Sequence, residues 1–149
     1  MRAFADLYAD LDASTSIRAK STALQRYFRS APAADAAWAL YFLAGGRPRR
    51  LLPTAVLRSA ALAVSGLPAW LFEECYQSVG DLAETIALLL DDAPSGDPGS
   101  LADWMHDALL PLRGLAPAEQ AARVAALWGR LDAGGRFVFN KLITGGFRV

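Results

Sequence analysis

The sequence predicts an all-α fold, a compact multi-helix domain of about eight or nine short helices. Three observations carry that expectation. Apolar residues recur at helical spacing in nearly every segment. Alanine and leucine are frequent while β-branched runs are scarce. Cap-forming Ser, Thr, Asp and Pro residues stand where the periodic segments begin. With 149 residues, one domain over 1–149 is expected, and 54% hydrophobic residues exclude a disordered chain.

Taken in order, Phe4, Leu7, Tyr8 and Leu11 form one stripe over residues 3–11. Ser14 is positioned to cap a second helix reaching about residue 30, with Ile17, Leu24 and Phe28 on its inner face. A third helix covers 35–43 and stops at Gly45-Gly46, where the loop "GGRPRRLLP" begins. Thr54 is positioned to cap a fourth that ends near Gly66, and Pro68 starts a fifth that ends near Gly80. Asp81 and Glu84 have capping-box spacing ahead of a helix through Leu90. The loop-rich segment 91–100 separates this from a helix capped by Ser100 and reaching about Leu110. Pro117 opens a helix to Leu131, Gly134-Gly135 breaks it, and a last helix covers 136–144.

The chain holds little catalytic chemistry. Its one histidine, His106, lies on a helix between Asp103 and Asp107 and reads as a surface or capping residue. The single cysteine, Cys75, reads as a small buried thiol and cannot form a disulfide framework. One His and one Cys cannot build a structural zinc site. "IRAKST" has a Lys-Ser pair without the glycines of a phosphate loop. Asp91 and Asp92 read as a solvated helix end rather than a metal site. The N-terminal residues carry acids at 6, 10 and 12 and no long apolar core, which excludes a signal peptide. The longest apolar run, 36–46, is too short for a membrane span, so a soluble intracellular protein is expected.

Charge is segregated although it sums to zero. Residues 1–60 hold nine Arg or Lys against four acids, 61–110 hold nine acids and no base, and 111–149 hold six bases against two acids. If the two basic ends meet, they form a positive face suited to phosphate. Thirteen of the fifteen bases are arginine, whose planar fork donates paired hydrogen bonds to phosphate. Arg18, Thr22, Gln25 and Arg29 form a polar stripe on the second helix, with Lys20 on its flank; the stripe could follow a phosphate backbone, but taken alone it reads better as an ordinary solvated face. Arg47, Arg49 and Arg50 fall within four residues on the third loop, a compact anion site or a solvated loop. On the last helix, Phe137, Asn140, Lys141 and Thr144 fall on the face opposite Val138, Phe139, Leu142 and Ile143, and run into Gly145-Gly146. Small residues flanked by Lys141 and Arg148 suit minor-groove or backbone contact, and they also suit a helix C-cap.

The stretches "STALQRYF", "YFLAGGRPRR", "LPAWLFEECYQSVGDLAETIALLL" and "NKLITGGFRV" cover most of the chain. In that order they resemble the N-terminal DNA-binding domain of bacterial ATP-dependent DNA ligases. The resemblance implies a domain that grips duplex DNA across the minor groove on both sides of a nick, without reading sequence. It also implies that "TGGFRV" continues into a nucleotidyltransferase domain, so that the sequence stops at a domain boundary. The family's adenylated lysine lies in Lys-x-Asp-Gly, which neither Lys20 nor Lys141 matches, so this chain is not expected to ligate. Carried over by position, Gly145, Gly146 and Arg148 are the expected DNA contacts, followed by Lys141 and Thr144; Gly80 and Asp81 either approach DNA or hold the fold. From charge alone, Lys20, Arg47, Arg49 and Arg50 are added, with Arg18 and Thr22 as further candidates.

No catalytic residue, metal or cofactor is expected in this chain, while ATP and Mg are implied for the full-length enzyme. The expected partners are nicked double-stranded DNA and the ligase's own catalytic domains, with the chain a monomer in the bacterial cytoplasm at the nucleoid. The alternative reading is a helical protein–protein interaction module. The two differ in whether the basic segments share a face. If about five phosphates are neutralised, log K falls with log salt at a slope near −4 to −5.

Overall fold

A computed structural model describes residues 1–91 and 98–147. Among these residues the architecture is all-α, with no strand. The helices are α1 (Arg2–Ala13), α2 (Ile17–Ser30), α3 (Ala33–Leu43), α4 (Thr54–Ser65), α5 (Ala69–Val79), α6 (Leu82–Leu89), α7 (Leu101–Asp103), α8 (Pro117–Trp128) and α9 (Ala133–Thr144). No single helix is long and apolar enough to cross a membrane.

The helix expected over 101–110 forms but changes type along its length. After α7 the chain widens into a π-helical turn, Trp104–Leu109, then tightens into a 3-10 turn, Leu110–Leu112. Pro111 supplies the reason: it has no N–H to donate, and its ring crowds the carbonyl four residues earlier, so the regular ladder cannot continue through it.

Several helix ends differ from expectation. Ser16, not Ser14, caps α2 by accepting from the Ala19 N–H at 3.2 Å, while the Ser14 hydroxyl accepts from the Ser16 N–H. Ile17 is 83% exposed, because α2 turns Leu24, Tyr27 and Phe28 inward instead. Pro53 occupies the cap position of α4, which leaves Thr54 as its first residue. Gly134 and Gly135 do not break a helix; they form the first turn of α9, where the Asp132 carboxylate accepts from the Gly135 N–H at 2.8 Å. A Cβ on Gly135 would stand 3.1 Å from both that carboxylate and the Leu131 side chain, so the close cap needs a glycine. Cys75 is half-buried rather than buried.

The largest departure concerns α9 itself. Val138, Phe139, Leu142 and Ile143 are buried, as expected of the apolar face. Asn140 and Lys141 on the opposite side are buried too, and so is Arg136 at the edge of the apolar face. The cause is that α9 is central: α6 packs on one side and α1 on another. Each buried polar group is therefore matched. Asn140 accepts from the Trp128 indole N–H at 2.8 Å and donates to the Ala83 carbonyl at 3.1 Å. The Arg136 Nε donates to the Trp128 carbonyl at 2.9 Å, and its guanidinium also reaches the Asp91 carbonyl.

Asn140 is fully buried. Replacing it with leucine strands both the Trp128 indole N–H and the Ala83 carbonyl away from water. Asn140→Leu is expected to lower unfolding free energy by about 2–5 kcal/mol, measured by urea denaturation.

Candidate nucleic-acid interface

The loop between α3 and α4 is held at both ends and open in the middle. At its start, the Gly45 and Gly46 N–H groups close the turn onto the carbonyls of Phe42 and Tyr41 at 3.0 and 2.8 Å. A side chain on Gly46 is excluded, since a Cβ there would lie 2.4 Å from the Tyr41 ring. Pro48, Leu51 and Leu52 are buried. The buried Gln120 amide donates to the Leu51 carbonyl at 3.3 Å and to the Leu112 carbonyl at 2.9 Å, tying the loop's end to the core. Between these anchors Arg47, Arg49 and Arg50 are exposed. Arg50 has φ 57°, and among the described residues it is the only non-glycine with positive φ. That conformation costs an L-residue about 1–2 kcal/mol, and it persists because the loop is fixed on both sides.

The end of α9 is equally constrained. Gly145 has φ 77° and ψ −166°, a combination open essentially to glycine alone, and Gly146 follows with φ 81°. The Gly145 N–H donates to the Lys141 carbonyl at 2.8 Å. The Thr144 hydroxyl, half-buried, donates to the Gly145 carbonyl at 3.4 Å. Phe147 then inserts among Phe4, Tyr8 and Phe42, with ring centroids 4.9–5.7 Å apart.

Lys141 is 6% exposed, so its charge serves the fold rather than an open surface. Its ammonium donates to the Asp81 carboxylate and, at 3.4 Å, to the Gly146 carbonyl. Asp81 is at the same time the cap of α6, accepting from the Glu84 N–H at 3.0 Å, and its carbonyl accepts from the buried Thr85 hydroxyl at 2.6 Å. Burial alone would raise the Asp81 carboxyl. The hydrogen bonds from Lys141 and from the Glu84 N–H, the Lys141 charge and the Ala83 N–H outweigh burial and hold the carboxyl below its ordinary range. Gly80, exposed with φ 80°, ends α5 beside this pair.

Two sequence-distant segments meet here. A Cβ on Gly145 would stand 3.1 Å from Cδ of Arg47, so the Arg47 stem lies across the bare glycine. An open cleft of about 610 Å³ runs alongside, lined by Thr54, Arg58, Gly80, Asp81, Lys141 and Thr144 among others. Arg58, missed in the sequence, is half-buried and paired with Glu73. Arg47 and Arg50 also border a smaller hollow with Gln120 and Ile143. The structure thus gathers Arg47, Arg49, Arg50, Gly80, Asp81, Lys141, Thr144, Gly145 and Gly146 into one region. Arg18, Thr22 and Lys20 are carried by α2, which packs on α1; Arg18 and Thr22 are exposed, Lys20 is half-buried, and the Thr22 hydroxyl is turned back onto the Arg18 carbonyl at 3.0 Å. Arg148 and Asp92 lie outside the described residues. His106 is exposed and accepts from the Trp38 indole at 3.4 Å. No three His, Cys, Asp or Glu among the described residues come together as a metal site.

The lowered Asp81 carboxyl gives a pH signature. The native state binds its proton less readily than the unfolded chain, whose carboxyl titrates at about 3.9. The group therefore stabilises the fold above that pH, and the contribution is lost as pH falls through the native value. Asp81→Asn should lower stability at pH 7 and flatten the stability–pH curve below about pH 4, measured by urea denaturation across that range.

The family described as "DNA ligase N terminus" matches residues 1–149, the whole chain. No curated protein and no solved structure matches the chain. The all-α architecture agrees with the family match, and the chain belongs to the DNA ligase N-terminal family.

Proposed function

We propose that this chain grips duplex DNA without reading its sequence and positions a nick for sealing by the catalytic domains of an ATP-dependent ligase. It is then one domain preceding the nucleotidyltransferase domain, and ATP and Mg act in those other domains. Neither Lys20 nor Lys141 lies in a Lys-x-Asp-Gly motif, which agrees with a binding rather than an adenylating role. The single observation that carries the reading is the placement of Arg47 against Gly145. Arginines that can pair with phosphate then stand beside the exposed Gly146 that follows it, a backbone without a side chain where a strand can approach closely.

Burial revises the expected charge. Arg136 and Lys141 are inside, so the C-terminal segment offers less free positive charge than its composition implies. The face rests mainly on the loop arginines. Three phosphate contacts give a slope of log K against log salt of about −2.7; adding Arg18 and Lys20 brings it to about −4.5. The slope therefore counts the cations engaged.

The interaction-module reading keeps one observation in its favour: Trp70 on α5 is 68% exposed on the acid-rich part of the chain. Fluorescence anisotropy separates the two. Nicked and intact duplexes should bind with a salt-dependent Kd and single strands more weakly; no duplex binding at low salt would favour the protein-partner reading.

Charge reversal of Arg47, Arg49 and Arg50 together should abolish most of the salt dependence, and an unchanged slope would remove the loop from the interface. Arg50→Gly separates binding from folding. It relieves the positive φ, so stability should hold or rise by up to about 1 kcal/mol while duplex affinity falls.

A further inference from the structure

The open side of α3 is unlike an ordinary solvated helix face. Its exposed positions are Ala33, Ala34, Ala37, Leu40 and Tyr41, and Ala44 continues them past the end. None carries a charge. The one charged residue of α3, Asp35, is half-buried and turned inward, where its carboxylate accepts from the Ala102 N–H at 2.9 Å. On α2, by contrast, the open positions include three arginines, Arg18, Arg26 and Arg29, beside uncharged ones such as Ile17 and Thr22. Leu40 is 61% exposed and Tyr41 39%, at the end of α3 nearest the arginine loop. Single exposed apolar residues are common, but a continuous uncharged face calls for a partner.

Its location says which partner. The Tyr41 ring lies against Gly46, the residue before Arg47, and Arg47 lies against Gly145. Tyr41, Gly46, Arg47 and Gly145 therefore form one continuous surface, with the apolar end of α3 on one flank and the arginines beyond. A DNA strand held there by its phosphates presents a second chemical surface next to them: the C–H edges of its deoxyriboses lining the minor groove. These have no charge to pair and are matched by apolar side chains. Ribose would place a 2′-hydroxyl against the same surface, where it loses water without gaining a partner.

We propose that Leu40 and Tyr41 form an apolar sugar-contacting strip that adds to the phosphate grip and favours deoxyribose over ribose. The inference rests on the proposed DNA-gripping role and makes a separate claim about it.

The test measures anisotropy of the whole chain against a DNA duplex and an RNA duplex of the same sequence, over a range of salt. The wild type should bind the DNA duplex more tightly. Leu40→Ser, at an exposed position, should fold normally by circular dichroism and lose roughly tenfold in DNA affinity. Its salt slope should match the wild type, because no phosphate contact is removed. The preference for DNA over RNA should shrink with it, and Leu40→Met should restore both. Tyr41→Ala should act in the same direction.

Wild-type DNA binding with Leu40→Ser and Tyr41→Ala indistinguishable from it overturns the strip and leaves the arginine grip standing. A shallower slope in Leu40→Ser also overturns it, since the loss would then be electrostatic. Equal wild-type affinity for the two duplexes removes the sugar preference. No wild-type binding to any duplex overturns the DNA-gripping reading together with the strip.

Discussion

The position of everything on the candidate surface depends on how α9 is seated. A central helix carrying Arg136, Asn140 and Lys141 can be buried only if each finds a partner, because an unpaired polar group inside costs more than its hydrogen bond returns. The partners are specific. Asn140 joins the Trp128 indole to the Ala83 carbonyl, and Lys141 joins Asp81 to the Gly146 carbonyl. Two of these attachments lie in the first turn of α6 or at its cap. Sliding or rotating α9 by one residue would break both, so the pairing fixes the register of the helix. Fixing the register of α9 also fixes where Gly145 and Gly146 emerge, and Phe147, held among Phe4, Tyr8 and Phe42, secures the far side of that turn.

The arginine loop is a second rigid element brought to the same place. Gln120 holds its end, the Gly46–Tyr41 packing holds its start, and the positive φ of Arg50 is what remains when both ends are fixed. A grip built this way needs little ordering on contact, which keeps the entropic cost of binding low. The acid gathered beside them, Asp81, is already paired with Lys141, so it does not compete with a phosphate for the loop arginines.

Much of this was legible in the sequence. The stripe Phe4, Leu7, Tyr8, Leu11 and the caps at Asp81 and Ser100 follow from spacing alone, because helix period and cap chemistry are local. The arginine loop and the two glycines after α9 were also visible as separate features. Their contact was not, since Arg47 and Gly145 are joined only by the tertiary fold. The internal partners of α9 were hidden for a related reason. Asn140, Lys141 and Thr144 have the composition of a solvated or ligand-facing side, and only the packing of α6 onto that side turns Asn140 and Lys141 into internal ties. The one hint was the acid at Asp81, already assigned to a cap; nothing in the sequence says that one carboxylate serves two partners. The π-helical turn was likewise signalled only by Pro111, which marks where a helix is disturbed but not how.

The most direct test of the account is amide chemical-shift mapping of the whole chain during titration with a nicked DNA duplex. Shifts concentrated at residues 40–50, 80–82 and 144–147 are predicted, since these positions form the surface around the Arg47–Gly145 contact. Shifts centred instead on α5 around Trp70, with residues 45–50 and 145–147 unmoved, would contradict it.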